Sequence, residues 1–282
     1  MIRPMRQGDA RALLSLLEWM DAQPEREVLA PEPRTVADLC WDREGKHGLV
    51  RLGRQGQLRA YCALTPFEGG GHILEGPVGR GPFRSLLKRA LRRASDSVYA
   101  FCAQDNMPAR EALEEAGFWA LHTTDFYRLP RIDASRRPTL PEGTHLEGRC
   151  DFTTYRQLYR CADDSWSARL GWSATEFRAH LAREDLRLLV LRRDAKVAGF
   201  AELELGHITR LTYLAVHPAE RGRGYGGLLL QAAAQQAFAD PSTTELQVRA
   251  HDHEVAARRL YLAHGFTPCR SVVTYLYDTA LK

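Results

Sequence analysis

The sequence predicts two tandem copies of one α/β fold, each an α+β mixed sheet, antiparallel in its first strands and parallel in its later ones, flanked by helices. Three observations predict it: a length suited to two domains, a proline-marked break at mid-chain, and one ordered set of motifs that occurs twice. A chain of 282 residues is long for one ordinary domain and comfortable for two. Residues 130–143 read PRIDASRRPTLPEG, with Pro130, Pro138 and Pro141 and little hydrophobic periodicity. This divides the chain into a first domain at 1–130, a linker at 131–143 and a second domain at 144–282.

The halves repeat each other. Residues 106–118 run from Asn106 through an apolar-periodic stretch to Gly117-Phe118, and residues 254–266 run from Glu254 to Gly265-Phe266 in the same way. Both read as a helix stopped by a C-terminal glycine, with a phenylalanine entering the next strand. Each follows a strand, at 97–103 and 245–250, and each lies downstream of a glycine-arginine-glycine that opens a helix, Gly79-Arg80-Gly81 and Gly222-Arg223-Gly224. Two motifs in one order point to duplication.

In the second half, 144–148 reads as a strand, and 153–166 and 175–183 carry helical spacing. Segments 186–192, 197–204 and 208–216 read as three consecutive strands, with Asp194-Ala195-Lys196 as a tight turn. A helix follows at 224–239, stopped by Asp240-Pro241, then a strand, a helix and a terminal strand at 272–277. Within 208–216, Ile208 is out of step with Leu211, Tyr213 and Ala215. A bulge that opens a slot beside this strand produces such a slip, and so does a strand buried on both faces.

Composition narrows the function. With 44% hydrophobic and 26% charged residues the chain reads as globular and not disordered. No apolar run approaches the ~20 residues of a membrane span. The basic N-terminus lacks an apolar core to follow it, so the expected location is cytoplasmic, with no membrane partner. Six cysteines without a C-x-x-C pair suggest reduced thiols and no metal. The net charge of +4 gathers in groups such as Lys88-Arg89 with Arg92-Arg93, and Arg192-Arg193. The first group forms a solvated helix face opposite Leu86, Leu87, Ala90, Leu91 and Ala94, and no aromatic residues are interleaved, so no nucleic-acid partner is expected.

The strongest chemical signal is the run from Leu214 to Leu230, where a strand passes through His217-Pro218 and a glycine-rich turn into a helix. Backbone N–H groups at a helix N-terminus attract anions, and glycines let them approach a pyrophosphate closely. Arg221 and Arg223 add positive charge. Gly222, Gly224 and Gly227 satisfy G-x-G-x-x-G, but at least three strands precede them and the next strand runs into His251, which argues against a dinucleotide fold. The Walker pattern fails because no lysine and Ser/Thr follow the glycines.

Arg221-x-x-Gly224-x-Gly226, preceded by Leu214-Ala-Val-His-Pro218, resembles the acetyl-CoA signature of the GCN5-related N-acetyltransferase (GNAT) superfamily. Downstream, Ala257-x-x-Leu260-Tyr261-x-x-x-Gly265-Phe266 resembles that family's second motif. The likeness spans most of 144–282, with a fainter version over 1–130, where Ile2-Arg3-Pro4 through Gly8-Asp9-Ala10 is similar to a family N-terminus. It implies two tandem GNAT-like domains and acetyl-CoA as co-substrate. The backbone of Leu214, Ala215 and Val216 would pair with the pantetheine arm, and Arg221, Gly222, Arg223, Gly224, Tyr225 and Gly226 would cradle the pyrophosphate. Glu254 stands where the family commonly has the asparagine that the first copy keeps as Asn106.

Acyl transfer from a thioester to an amine needs a proton lost by the amine and one gained by the thiolate. The resemblance puts Tyr261 beside the CoA sulfur as general acid, and a phenol of reference pKa ~10 keeps its proton for that purpose. The position of a familiar family glutamate is Arg210 here, so the candidate bases near the bulge are Glu204 and His207, with Glu202 beside them; each also reads as an exposed strand residue, and His217 and His251 are equally unspecific. The oxyanion would be held by a backbone N–H of the bulged strand. In the first copy Val78 falls opposite Arg221, Pro82 opposite Tyr225, Phe83 opposite Gly226 and Leu113 opposite Tyr261, so that copy is expected to fold without catalysing, as a wall or brace. The resulting expectation is an N-acetyltransferase moving acetyl from acetyl-CoA to a primary amine of a small molecule or peptide by direct attack on the thioester, as a monomer or homodimer. The alternative is a non-enzymatic acyl-CoA sensor or scaffold.

Overall fold

The structure is a computed structural model and describes residues 1–42, 48–67, 70–131, 138–161, 168–194 and 196–281. The chain forms two compact units, Met1–Thr124 with Arg270–Lys282, and Asp125–Cys269. The sequence placed its boundary at the linker 131–143, part of which (132–137) lies outside the described residues. The division runs instead through two strands, because the last strand of each half starts in one unit and ends in the other. Hydrophobic pattern marks where a strand lies and is blind to which sheet it joins.

The first unit holds β1 (Ile2–Pro4), α1 (Ala10–Asp21), α2 (Val36–Asp42), β2 (Leu49–Leu52), β3 (Leu58–Pro66), β4 (His72–Gly79), α3 (Arg84–Leu91), β5 (Val98–Ala103), α4 (Met107–Ala116) and the start of β6 (Trp119–Pro130). The second holds the rest of β6, then β7 (Thr144–Glu147), α5 (Phe152–Cys161), α6 (Ala174–Leu181), β8 (Leu186–Arg193), β9 (Lys196–Glu204), β10 (Ile208–Val216), α7 (Tyr225–Phe238), β11 (Glu245–His251), α8 (Val255–Ala263) and the start of β12 (Thr267–Tyr277). The sheet of the first unit runs β1-β2-β3-β4-β5-β12, antiparallel except for the parallel pair β4/β5. That of the second runs β6-β11-β10-β9-β8-β7, antiparallel from β7 to β10 and parallel at β10/β11.

Local chemistry sets the element ends. Asn106 caps α4 by accepting from Ala109 N–H, and Ser173 and Glu176 cap α6 reciprocally. The repeated helix ends coincide atom for atom: Phe118 N–H donates to Leu113 O at 3.0 Å and Phe266 N–H to Tyr261 O at 3.1 Å, with Gly117 and Gly265 left-handed at φ 100° and 82°. These equivalent bonds confirm that Leu113 occupies the place of Tyr261. One alignment shifts. Gly79 is the last residue of β4 and only residues 80–83 lead to α3, whereas residues 217–224 join β10 to α7, so the first unit lacks most of the turn.

In the second unit the sheet has two covered faces. Leu203, Leu211, Leu229 and Val248 pack with α7 and α8 on one, and Phe200, Val190, Tyr155, Tyr159 and Phe177 pack with α5 and α6 on the other. No helix among the described residues is long and apolar enough to cross a membrane. Leu229, fully buried on α7, anchors the first of these faces. Leu229→Ala should lower unfolding free energy by about 2–5 kcal/mol through lost burial and a cavity, seen as a lower urea midpoint at an unchanged slope.

Candidate active site

The site starts with the bulge. Against β9, β10 pairs Leu211 with Leu203 and Tyr213 with Glu202, so Thr212 is an extra residue and the phase slip in the sequence is a true bulge. The β10/β11 ladder joins Ile208–Arg210 to Glu245–Gln247 and, among the described residues, ends there. Above this point the two strands part and leave a slot along β10. His217 N–H donates to Ala198 O on β9 at 2.8 Å, and alternation along the strand then turns the polar groups of Ala215 toward β9 and those of Leu214 and Val216 toward the slot. Gly199 keeps the floor tight: a Cβ there would come within 2.6 Å of Ala215 O.

At the end of β10 the glycine turn feeds α7. Gly222 and Gly224 take φ of 79° and 81°, which disfavours any side chain, and Leu228 N–H is the first to reach back, to Gly224 O at 3.1 Å. The N–H groups of Tyr225, Gly226 and Gly227 therefore point out of the helix start, toward the end of the slot. Gly226 and Gly227 have a second reason to be glycine: a Cβ on them would meet Leu260 at 3.2 Å and His264 at 2.9 Å, so they let α8 close against α7. Tyr225 is 5% exposed and its ring belongs to the core, leaving only its backbone for an anion. Arg221 Nε donates to Val216 O at 3.2 Å, and Arg223 lies 3.3 Å from Glu220, which also pairs with Arg193. Both arginines are exposed on the turn.

Tyr261 sits on α8, 6% exposed, with its ring against Tyr127 and Phe266. Burial raises its pKa well above the ordinary tyrosine value, and nearby Glu254 and Tyr127 push the same way against Arg249. The hydroxyl therefore stays protonated. Glu254 caps its own loop, its Oε2 accepting His251 N–H at 2.6 Å, whereas Asn106 in the first unit also donates.

The candidate bases separate. Glu204 pairs with Arg183 at 3.1 Å and faces Arg210 in the ladder, below the bulge. His207 lies exposed before β10, its Nδ1 2.9 Å from Ser242 O. Neither is brought to the slot. Glu202, read as an exposed strand residue, is fully buried beside the bulge. Its carboxylate accepts from Tyr155 at 3.0 Å, pairs with Arg169, and lies with its Oε2 3.3 Å from His180 Nε2 without hydrogen-bond geometry. Thr212 Oγ1 is 3.1 Å from both its backbone oxygen and Oε1, tying the extra residue of the bulge to the buried charge. Arg169 in turn sits over the rings of Tyr213, Trp172 and Tyr159 at 4.8, 5.3 and 5.5 Å. Sequence reasoning missed Tyr155, Arg169 and His180, which converge only when α5 and α6 dock; the one trace was a glutamate two residues beyond Phe200 on a largely apolar strand.

Comparison with known proteins agrees with this geometry. Residues 153–266 match the acetyltransferase (GNAT) family. The chain carries this family match within its second unit, Asp125–Cys269. It is 28% identical over 138 residues to the uncharacterized N-acetyltransferase YhfO of Bacillus subtilis, a match covering 46% of this chain and 89% of that protein. Its fold is similar to a GCN5-related N-acetyltransferase from Sphaerobacter thermophilus, with a TM-score of 0.72 at 15% identity over 99% of this chain and 95% of that one. It is similar also to a tandem GNAT protein from the clavulanic acid biosynthesis pathway, with a TM-score of 0.63 at 16% identity over 99% and 98% of the two chains.

Burial pushes the Glu202 carboxyl up, but the contacts with His180 and Arg169 outweigh it and hold the group below the ordinary glutamate value of 4.5. A lowered folded-state value contributes stability above the unfolded value that is lost as pH falls through the folded one. Wild-type unfolding free energy should therefore fall with acidification below about pH 4.5, and Glu202→Gln should flatten that part of the profile. Glu202→Ala, which leaves the Arg169 cation buried without its partner, should cost about 3–5 kcal/mol in urea unfolding at neutral pH.

Proposed function

We propose that the protein transfers an acetyl group from acetyl-CoA to a primary amine of a small molecule or peptide. The observation that carries this reading is the slot above Arg210, bordered by the edge of β10 that faces away from β9 and ending at the glycine turn and the start of α7. An extended arm with amide groups fits the first part and a pyrophosphate the second. Leu214 and Val216 would hold the pantetheine arm, and the N–H groups from Gly222 to Gly226 the diphosphate, with Arg221 and Arg223 adding charge; the Glu254 carboxylate, engaged with its own loop, is left out of the binding set.

Bound acetyl-CoA supplies an activated thioester. The chain's residues do the rest: a slot-facing N–H above the bulge holds the acyl oxygen, and Tyr261 gives its proton to the departing thiolate. The amine attacks directly and passes its surplus proton to solvent water, from which Tyr261 is reprotonated, and neither Glu204 nor His207 is assigned as base. The test is an amine library screened with acetyl-CoA for released thiol. Binding of CoA without amine-dependent release of thiol would identify a sensor instead.

Gly224→Glu should weaken CoA binding by roughly 100-fold or more, measured by calorimetry. Gly224→Ala carries the same backbone strain at φ 81° without the charge and separates the two effects. Arg80→Glu in the first unit should change affinity by no more than about twofold.

Tyr261→Phe keeps the ring in its contacts with Tyr127 and Phe266. Because the hydroxyl acts mainly in the transition state, kcat should fall about 10²–10⁴-fold with little change in KM. The loss should shrink at lower pH and for thiols that leave readily. Wild-type kcat in this variant, with chemistry rate-limiting, would assign Tyr261 to packing.

A further inference from the structure

The first unit repeats the slot. β4 shifts register against β3 between Tyr61 and Ala63, and its ladder with β5 joins His72–Leu74 to Val98–Ala100 and, among the described residues, ends there. As in the second unit, the strands part just before the shift. Here the gap is filled. Residues 27–29 enter it from the segment after α1: Leu29 N–H donates to Phe101 O at 3.1 Å, Ala103 N–H donates to Glu27 O at 2.8 Å, and Val28 bridges Cys102 antiparallel. On the other side Gly76 N–H, from β4, donates to Leu29 O at 2.6 Å. Gly76 leaves room for the close approach because its φ is 100° and a Cβ would lie 2.7 Å from Tyr61 O.

We infer that residues 27–29 are a built-in surrogate for the pantetheine arm, so that the first unit's slot is permanently occupied by its own backbone and takes no acyl-CoA. The inference rests on the proposed reading of the second unit's slot. Pantetheine is an extended chain bearing two amides, and a short polypeptide strand presents the same kinds of donor and acceptor to the same two edges. Asn106, the counterpart of Glu254, holds the start of the strap with its Nδ2, donating to Arg26 O at 2.9 Å and to Glu27 O at 3.5 Å. Arg270 pairs with the Glu27 carboxylate, and Val28 is 5% exposed. The strap is covalently tethered, so a free ligand competes against a high local concentration and would have to break bonds on both edges.

The groove beyond the strap lacks the glycine turn of the second unit. A cavity of about 730 Å³ remains at the start of α3, lined by Arg26, Arg80, Pro82 and Arg84. Pro82 has no N–H, Arg80 stacks over Trp19 at 4.9 Å, and Arg84 lies 3.5 Å from Glu115. Arg80 and Arg84 are thus engaged within the wall.

Amide hydrogen exchange with and without CoA tests the inference. The amides of Leu29, Gly76 and Ala103 should exchange at least about 100-fold slower than exposed loop amides and should not respond to saturating CoA. CoA should slow Leu214 and Val216 and bind with one molecule per chain. Fast exchange of the strap amides in the free protein, slowing of Gly76 or Ala103 by CoA, or two CoA molecules per chain would overturn it. If CoA affects neither unit, the acyl-CoA reading of the second slot falls, while slow exchange at the strap still upholds self-occupancy of the first. Asn106→Asp keeps the helix-capping oxygen and removes the Nδ2 donor. It should speed exchange at Leu29 and Gly76 by about tenfold while CoA affinity stays unchanged. Unaltered exchange would remove Asn106 as the strap's anchor.

Discussion

Two neighbouring strands that part inside a folded protein leave backbone donors and acceptors that must be satisfied by something. The rest of this structure follows from that constraint. In the second unit the parting of β10 and β11 creates an edge that a ligand with amide groups can complete, next to a helix start suited to phosphate. In the first unit the same parting of β4 and β5 is closed by residues 27–29. One copy of the fold keeps this edge open and the other closes it with its own backbone, which explains how a degenerate copy remains well packed.

The bulge that opens the second slot is held from behind by an unusual investment. A fully buried carboxylate on β9 gathers a tyrosine from α5, an arginine and a histidine from the α5–α6 region, and the hydroxyl of the bulge residue itself. Burying an ion pair is weak evidence for stability, since an apolar replacement is often as good. It does fix geometry, because breaking any one contact leaves a charge in an apolar layer of tyrosines and phenylalanines. The arrangement sets where Thr212 sits, and through it the direction of the N–H groups that follow.

Divergence between the copies is confined to the functional edge. The helix stop at Gly117-Phe118 and that at Gly265-Phe266 use the same hydrogen bond, yet its acceptor is Leu113 in one and Tyr261 in the other. Leu113 is fully buried in the first unit's core, so the position serves packing in one copy while in the other it carries a hydroxyl whose proton is retained by burial. The connection to the following helix is residues 80–83 in the first unit and the longer, glycine-rich 217–224 in the second, and both feed an intact helix.

The sequence by itself determined the duplication, the order of strands and helices in the second half and the glycine turn. Each of these is written in local periodicity or in residues, such as Gly222 and Gly224, that a backbone conformation requires. For 208–216 it left a bulge and a strand buried on both faces equally open, until the β9/β10 register chose the bulge. Tertiary structure alone decided the rest. Unit boundaries fall inside β6 and β12 because pairing partners are chosen across the chain, beyond the reach of hydrophobic pattern. Glu202 looked like any strand glutamate until α5 and α6 covered it, and Glu204 and His207 looked like its equals until Arg183 and Ser242 claimed them away from the slot. The strap at 27–29 has no signature at all, since its role lies in backbone groups that every residue carries and only the parted strands make valuable.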